Sequence, residues 1–215
     1  MSVSIYGRHT SFNVQKILWL LDELSIKYSH IQLGGKFGGT ETEEFGKLNP
    51  MRKVPVLVDG DNVIWESNTI LRYLVSSYGS GAWEEGNAYK RSQFERWMDW
   101  SQSKFEPAFV GVFWGYYRTP MNLQNKSEIE SAIKLCENCL EKLDQQLQHK
   151  KYMLGENMSL ADITSGVFIY RLIEIGLAFE LPKNVAGWYK NLQKSYGYQK
   201  WVMSDFSELK ARLEY

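Results

Sequence analysis

The sequence predicts two units of different class: an α/β unit over residues 1–79 and an all-helical unit over 88–215, joined by a linker at 80–87. Three observations carry that expectation. Short β-branched runs alternate with helix-spaced apolar repeats only as far as Gly79. Ser80-Gly81 and Glu84-Glu85-Gly86-Asn87 then gather turn-forming and acidic residues. Beyond them no convincing strand signal returns, whereas apolar stripes at spacings of three and four do. A chain of 215 residues has room for two modest domains.

In the first unit Val3–Tyr6 reads as a short strand and residues 7–12 as a loop. Val14, Ile17, Leu18, Leu21 and Leu24 follow at the spacing of an amphipathic helix. Residues 28–33 give a second strand, and 34–40 a flexible glycine-rich loop. In the apolar run 54–58 a proline stands at the start, where its missing N–H is tolerable. The Val54-Pro55 bond is a candidate cis peptide, because proline lowers the cis penalty to about 0.5–1 kcal/mol. Asp59-Gly60-Asp61 makes a tight turn and Val63-Ile64-Trp65 the returning strand, with Ser67 as N-cap of a helix over 68–78. The order β-α-β, a long connection, then β-β-α describes a compact α/β unit with a mixed sheet, a thioredoxin-like layout.

The second unit begins with a long helix over 88–105. Ser127-Glu128-Ile129-Glu130 reads as a capping box opening a helix with the stripe Ile129, Ile133, Cys136, Leu140, Leu143 and Leu147. Ser159-Leu160-Ala161-Asp162 is a second capping box, with Met158 and Ile163 placed as a hydrophobic staple, and residues 185–196 supply another helix. The stretch 105–117 is unusually aromatic, and core filling accounts for at least half of it.

Several function classes are disfavoured. Twenty-five basic residues balance twenty-five acidic ones, so no basic footprint points to nucleic acid or an anionic membrane surface. No apolar run approaches the roughly 20 residues needed to span a bilayer, and the N-terminus lacks the layout of a signal peptide, which makes the cytoplasm the default. Cys136 and Cys139 lie one helical turn apart on an apolar stripe, which reads as core rather than as a disulfide, redox or zinc motif. His9, His30 and His149 are too scattered for a metal cluster, so no metal site is expected. The loop 34–40 has no Gly-Lys-Ser/Thr ending and is not a phosphate-binding loop.

One region does carry chemistry. A strand edge at Val54-Pro55, with amides free to pair, beside a helix N-terminus bearing Glu66 and Ser67, suits a peptide-like ligand that has a carboxylate.

Val54-Pro55-Val56-Leu57, Trp65-Glu66-Ser67-Asn68-Thr69-Ile70 and Ser159-Leu160-Ala161-Asp162, in this order and spacing, resemble the cytosolic glutathione transferases over essentially the whole chain. Ser11-Phe12-Asn13-Val14-Gln15-Lys16 is similar to bacterial, theta-like and nu-like members rather than to those using tyrosine. The resemblance implies a homodimer that activates the glutathione thiol for attack on a small electrophile, with glutathione as co-substrate and neither metal nor nicotinamide. It implies that Ser11 donates to the glutathione sulfur, with Asn13 the alternative donor; a plain helix cap is the competing role for Ser11. Ser67 and Glu66 would take the γ-glutamyl carboxylate and ammonium, and Val54, aimed by a cis Pro55, would present its backbone to the cysteinyl moiety. Lys53, and less so Arg52, would meet the glycyl carboxylate, with Lys36 and Thr40 weaker candidates. Phe109, Phe113, Trp114 and Tyr117, with Arg118, are candidate acceptor-site residues, since aromatic walls take apolar compounds with little discrimination. Two other classes remain: a non-catalytic binding or regulatory protein of the same fold, and a thiol transferase. The latter normally wants a cysteine before the first helix, where this chain has none.

Overall fold

The computed structural model describes residues 3–83 and 86–213; Met1, Ser2, Glu84 and Glu85 (the last two inside the expected linker) and residues 214–215 lie outside the described residues. The described chain forms two compact units, one of residues up to 83 with 196–204, the other of 86–195 with 205–213.

The first unit runs β1 (Val3–Tyr6), α1 (Phe12–Glu23), β2 (Tyr28–Ile31), α2 (Glu43–Leu48), β3 (Val56–Asp59), β4 (Asn62–Trp65) and α3 (Ser67–Tyr78). Its sheet has the order β2-β1-β3-β4. β1 lies parallel to β2 and antiparallel to β3, with Ile5 opposite His30 on one side and Leu57 on the other. β4 returns antiparallel to β3, Leu57 facing Ile64. This is the mixed sheet the element order predicts. Only α2 was absent from the sequence reading: it is six residues long, buries only Phe45, and is held by the Thr42 hydroxyl accepting from Phe45 N–H at 3.2 Å.

α1 is buried from Val14 through Leu21. It ends in a Schellman turn: Ser25 at φ 55° lets its own N–H reach Asp22 C=O and Ile26 N–H reach Leu21 C=O. Two glycines permit the packing around it. A methyl group at Gly7 (φ 151°) would strike the Val14 side chain. One at Gly197 would come within 2.8 Å of the Trp19 ring. That second contact explains why residues 196–204 join this unit: Tyr198 packs edge-on to Trp19 at 4.8 Å, and Trp201 Nε1–H donates to Asp22 at 2.8 Å.

His30, on β2, lies edge-on to the Trp201 ring at 5.5 Å, and its Nε2 is 2.8 Å from Gly7 C=O. Burial lowers its pKa from 6.5, with the Gly7 bond opposing. A histidine with a depressed folded pKa contributes stability that is present above its unfolded value and lost as pH falls toward the folded value. Wild-type protein should therefore lose Tm between pH 7 and 5.5 by more than His30→Gln, which can still donate to Gly7. Thermal melts at the two pH values measure this; equal slopes would contradict it.

The second unit contains α4 (Ala88–Trp100), α5 (Glu106–Val112), α6 (Lys126–Gln146), α7 (Leu160–Gly166), α8 (Ile169–Glu174) and α9 (Lys183–Leu192). The helix read as ending at 105 instead continues to Arg118, through π-helical turns at Ser101–Phe105 and Phe113–Arg118. The first turn stands just before Pro107, which has no N–H to donate back to Ser103; widening the ladder there absorbs the missing bond. α6 also starts earlier than its sequence suggests. Asn125, not Ser127, is the cap: its Oδ1 accepts from Glu128 N–H at 3.4 Å while its Nδ2 donates to the Glu128 carboxylate at 2.7 Å. α9 likewise ends at Leu192, four residues short of the expected end.

The Ser159–Asp162 capping box forms as read. Fully buried, Asp162 does more than cap: Oδ1 accepts from Met153 N–H and Trp188 Nε1–H, both at 2.8 Å, and Oδ2 accepts from the Ser159 N–H and hydroxyl, both at 2.9 Å. Burial pushes its carboxyl above the ordinary aspartate range, and the four hydrogen bonds pull it back. Both cysteines are free and buried in α6; burial pushes the Cys136 thiol up to about 12, as a core position requires.

Candidate active site

Three segments of the first unit meet here: the N-terminus of α1, the chain entering β3, and the β4–α3 junction. The Val54–Pro55 peptide is cis. Among the described residues the Val54 main chain makes no hydrogen bond, because β3 pairing starts only at Val56. Lys53 is exposed and makes no ion pair among the described residues. Arg52 is committed elsewhere: its Nη1 donates to the carbonyls of Thr40 and Thr42 at 3.1 and 2.7 Å, stapling the loop above α2. Of the weaker loop candidates, Lys36 lies over the Phe37 ring at 5.3 Å and Thr40 donates to Glu41 at 3.2 Å.

The β4–α3 junction differs from the sequence reading. Glu66, not Ser67, is the N-cap of α3, with Ile70 N–H bonded to Glu66 C=O at 2.9 Å. Glu66 sits at φ 70°, ψ 118°, a conformation that is costly for a residue with a Cβ. Its side chain is exposed and forms no cap bond. The result is an acidic group held beside the first N–H groups of a helix, which collect partial positive charge. Ser67 is the first helical residue, and its hydroxyl, instead of capping, donates to Asn13 Oδ1 at 3.1 Å.

Ser11 is the N-cap of α1 by backbone geometry (φ −81°, ψ 118°), but its side chain makes no cap bond. Its hydroxyl stands partly exposed at the helix end. Asn13, in the first turn, accepts at Oδ1 from Ser67 and from Lys16 Nζ at 2.8 Å. The structure thus gathers Ser11, Asn13, Val54, Pro55, Glu66 and Ser67 within one unit. Lys16 was given no role by sequence. The signal was there, a lysine three residues after Asn13 on a helix otherwise apolar on that face, but lysine is so often exposed that spacing alone did not single it out.

The acceptor candidates do not form one surface. Phe109 and Phe113 are 0% and 2% exposed and stack at 5.4 Å, so both rings belong to the core of the helical unit. Tyr117 continues that stack on Phe113 at 5.3 Å, remaining partly exposed beside Phe206 at 5.2 Å. Trp114 is exposed instead over a cavity of about 480 Å³ between α5 and α6, lined also by Val110, Leu123 and Ile129. The Arg118 guanidinium lies 3.9 Å from the Trp114 ring and donates through Nε to Arg212 C=O at 2.8 Å. Both contacts belong to an arginine that is only 3% exposed. No helix among the described residues is long and apolar enough to cross a membrane.

Comparison with known proteins identifies the family. Residues 1–76 match the family description "Glutathione S-transferase, N-terminal domain", and residues 105–195 match "Glutathione S-transferase, C-terminal domain". Glutathione S-transferase GstB of Escherichia coli is 34% identical over 203 residues, spanning 94% of this chain and 98% of its own. The glutathione-bound crystal structure of a theta-class glutathione S-transferase from Xanthomonas axonopodis pv. citri superposes with a TM-score of 0.88 at 37% identity, covering 94% of this chain and 98% of that one. Human glutathione S-transferase T1-1, at 18% identity and a TM-score of 0.81, shares the fold. The chain belongs to the glutathione S-transferase family, in the company of bacterial theta-class members.

Proposed function

We propose that this protein is a glutathione transferase that binds glutathione along Val54, Glu66 and Ser67 and ionises its thiol at the N-terminus of α1. The observation that carries the reading is the Ser67–Asn13 hydrogen bond, which joins two helix N-termini, one suited to a carboxylate and one to a thiolate. Glu66 pairs with the γ-glutamyl ammonium, and the first N–H groups of α3 with the adjacent carboxylate. The Val54 main chain pairs with the cysteinyl moiety, and Lys53 meets the glycyl carboxylate. Ser11 and Asn13, both at the N-terminus of α1, are the two candidate donors to the sulfur in this reading.

The thiol proton leaves to solvent. The thiolate then forms a C–S bond to an electrophilic carbon as a leaving group departs with its electron pair. On an unsaturated carbonyl the C–S bond forms as the C=C pair shifts toward the carbonyl and is protonated by solvent. On a peroxide the thiolate forms an S–O bond as the O–O bond breaks and the other oxygen leaves with that pair as alkoxide or hydroxide. The chain contributes a lowered thiol pKa and a fixed position for the sulfur. Tyr117, the partly exposed end of the aromatic stack, is the acceptor-site residue best supported; Phe109 and Phe113 act through packing. A cytoplasmic homodimer without metal or nicotinamide belongs to the same reading.

The test is retention on immobilised glutathione, followed by turnover with halogenated, peroxide and unsaturated-carbonyl acceptors, with sedimentation reporting the dimer. Conjugate formation supports the transferase. Retention without any turnover would identify a binding protein, and turnover confined to mixed disulfides a thiol transferase.

A further inference from the structure

We infer that Lys16 is a positioning residue for the thiolate: its buried ammonium fixes the Asn13 amide, and through the shared Asn13 oxygen it keeps the thiol subsite in register with the γ-glutamyl subsite. The inference rests on the function proposed above. Lys16 is 1% exposed on a helix whose neighbours Val14, Ile17, Leu18, Leu20 and Leu21 are all fully buried, so an apolar residue would suit the fold better there. Its ammonium lies 2.8 Å from Asn13 Oδ1 and 5.6 Å from the centre of the Phe12 ring.

An ammonium can only donate, so the Asn13 atom facing it must be the carbonyl oxygen. This settles the orientation of the amide. Its oxygen is turned toward Lys16 and Ser67, and its N–H edge is turned away from both. A hydroxyl could be served by either edge, but an ammonium could not, so of these two donors Lys16 is the one that fixes the orientation.

The Ser67 hydroxyl spends its proton on that same oxygen at 3.1 Å. A ligand carboxylate arriving at the start of α3 competes for this proton. When it wins, the Ser67 bond to Asn13 is lost, while the Lys16 ammonium still holds the amide oxygen toward itself. The consequence is specific: Lys16 matters to ionisation of bound thiol more than to capture of glutathione.

The experiment measures glutathione affinity and the pH midpoint for ionisation of the bound thiol, by thiolate absorbance, in Lys16→Met, Asn13→Ala, Ser11→Ala and the Lys16→Met/Asn13→Ala double variant. Lys16→Met is expected to fold, to bind glutathione within a few-fold of wild type, and to raise the midpoint by about one to two pH units, the equivalent of a hydrogen bond to a charged group. Asn13→Ala should raise it similarly, and the double variant no further, because both act through one amide. Additive shifts would overturn the inference, as would a Lys16→Met midpoint equal to wild type when Asn13→Ala moves it; in both cases the site reading survives. Movement by Ser11→Ala alone overturns it too, leaving Ser11 as the donor. If neither Ser11→Ala nor Asn13→Ala moves the midpoint, the thiolate reading itself fails. Should Lys16→Met not fold, Asn13→Asp decides: a carboxylate there still accepts from Lys16 but offers no N–H. Its midpoint must rise while Lys16→Arg stays near wild type, and an unmoved Asn13→Asp midpoint overturns the inference.

Discussion

Asp162→Ala is expected to cost about 3–5 kcal/mol of folding stability, because it orphans the N–H groups of Met153, Ser159 and Trp188 around a fully buried carboxylate, each at a cost of about 1 kcal/mol or somewhat more. Against a native stability of about 5–15 kcal/mol, that loss should leave the helical unit marginal at ambient temperature. The damage is not confined to α7. Met153 belongs to the chain between α6 and α7, and Trp188 to α9, so one carboxylate ties three segments of the unit together. Asp162→Asn separates capping from the network. An amide keeps one acceptor oxygen but turns an N–H toward a donor on the other side, so its cost should fall between wild type and alanine. Urea denaturation of the three proteins measures the order. A loss below about 1 kcal/mol for Asp162→Ala would mean that water or relaxation replaces the carboxylate, and that the buried network is not a principal support of the fold.

The second large effect concerns ligand capture. Glu66→Gln combined with Ser67→Ala should weaken glutathione binding by two to four orders of magnitude, each lost hydrogen bond to a charged group being worth about 1.5–3 kcal/mol. Glutamine is the right replacement at position 66, because any residue with a Cβ bears the same backbone cost at φ 70°. The difference between Glu66 and glutamine then reports charge alone. Isothermal titration of the folded variants gives the comparison. Affinity within a few-fold of wild type in the double variant would remove the γ-glutamyl subsite from this junction. The Ser67→Ala single variant carries extra information, since it also removes the Ser67 donor to Asn13 Oδ1.

Much of the fold was legible because its signals are local. The strand β1, the turn at Gly60 and the Ser159–Asp162 box are each specified within a few residues by β-branching, glycine or a capping pair. The start of α6 was read two residues late because Ser127 and Glu130 match the capping pattern as well as Asn125 and Glu128 do; geometry, not pattern, chooses between them. The helix through Pro107 was unreadable for a different reason. Proline ordinarily ends a helix, and whether a π turn absorbs it depends on what the widened turn packs against. Here Ser101 donates to Thr164 C=O at 2.9 Å, from 63 residues away.

By itself the sequence determined the order of the four strands with α1 and α3, the open main chain at Val54 and the acid-serine pair that follows β4. Those are properties of neighbouring residues and of backbone chemistry. Only the tertiary structure decided that Ser67 meets Asn13 across 54 residues, that Lys16 is buried beneath them, and that Glu66 rather than Ser67 takes the cap position in a strained conformation. It also decided that Phe109 and Phe113 face inward while Trp114 faces outward: a spacing of four puts the two phenylalanines on one face, but which face meets the core depends on what packs against it. A hydroxyl, an amide or a ring has the same local signature whichever partner it finds. The partner is set by how the chain closes on itself, and that is a sum over contacts far apart in sequence.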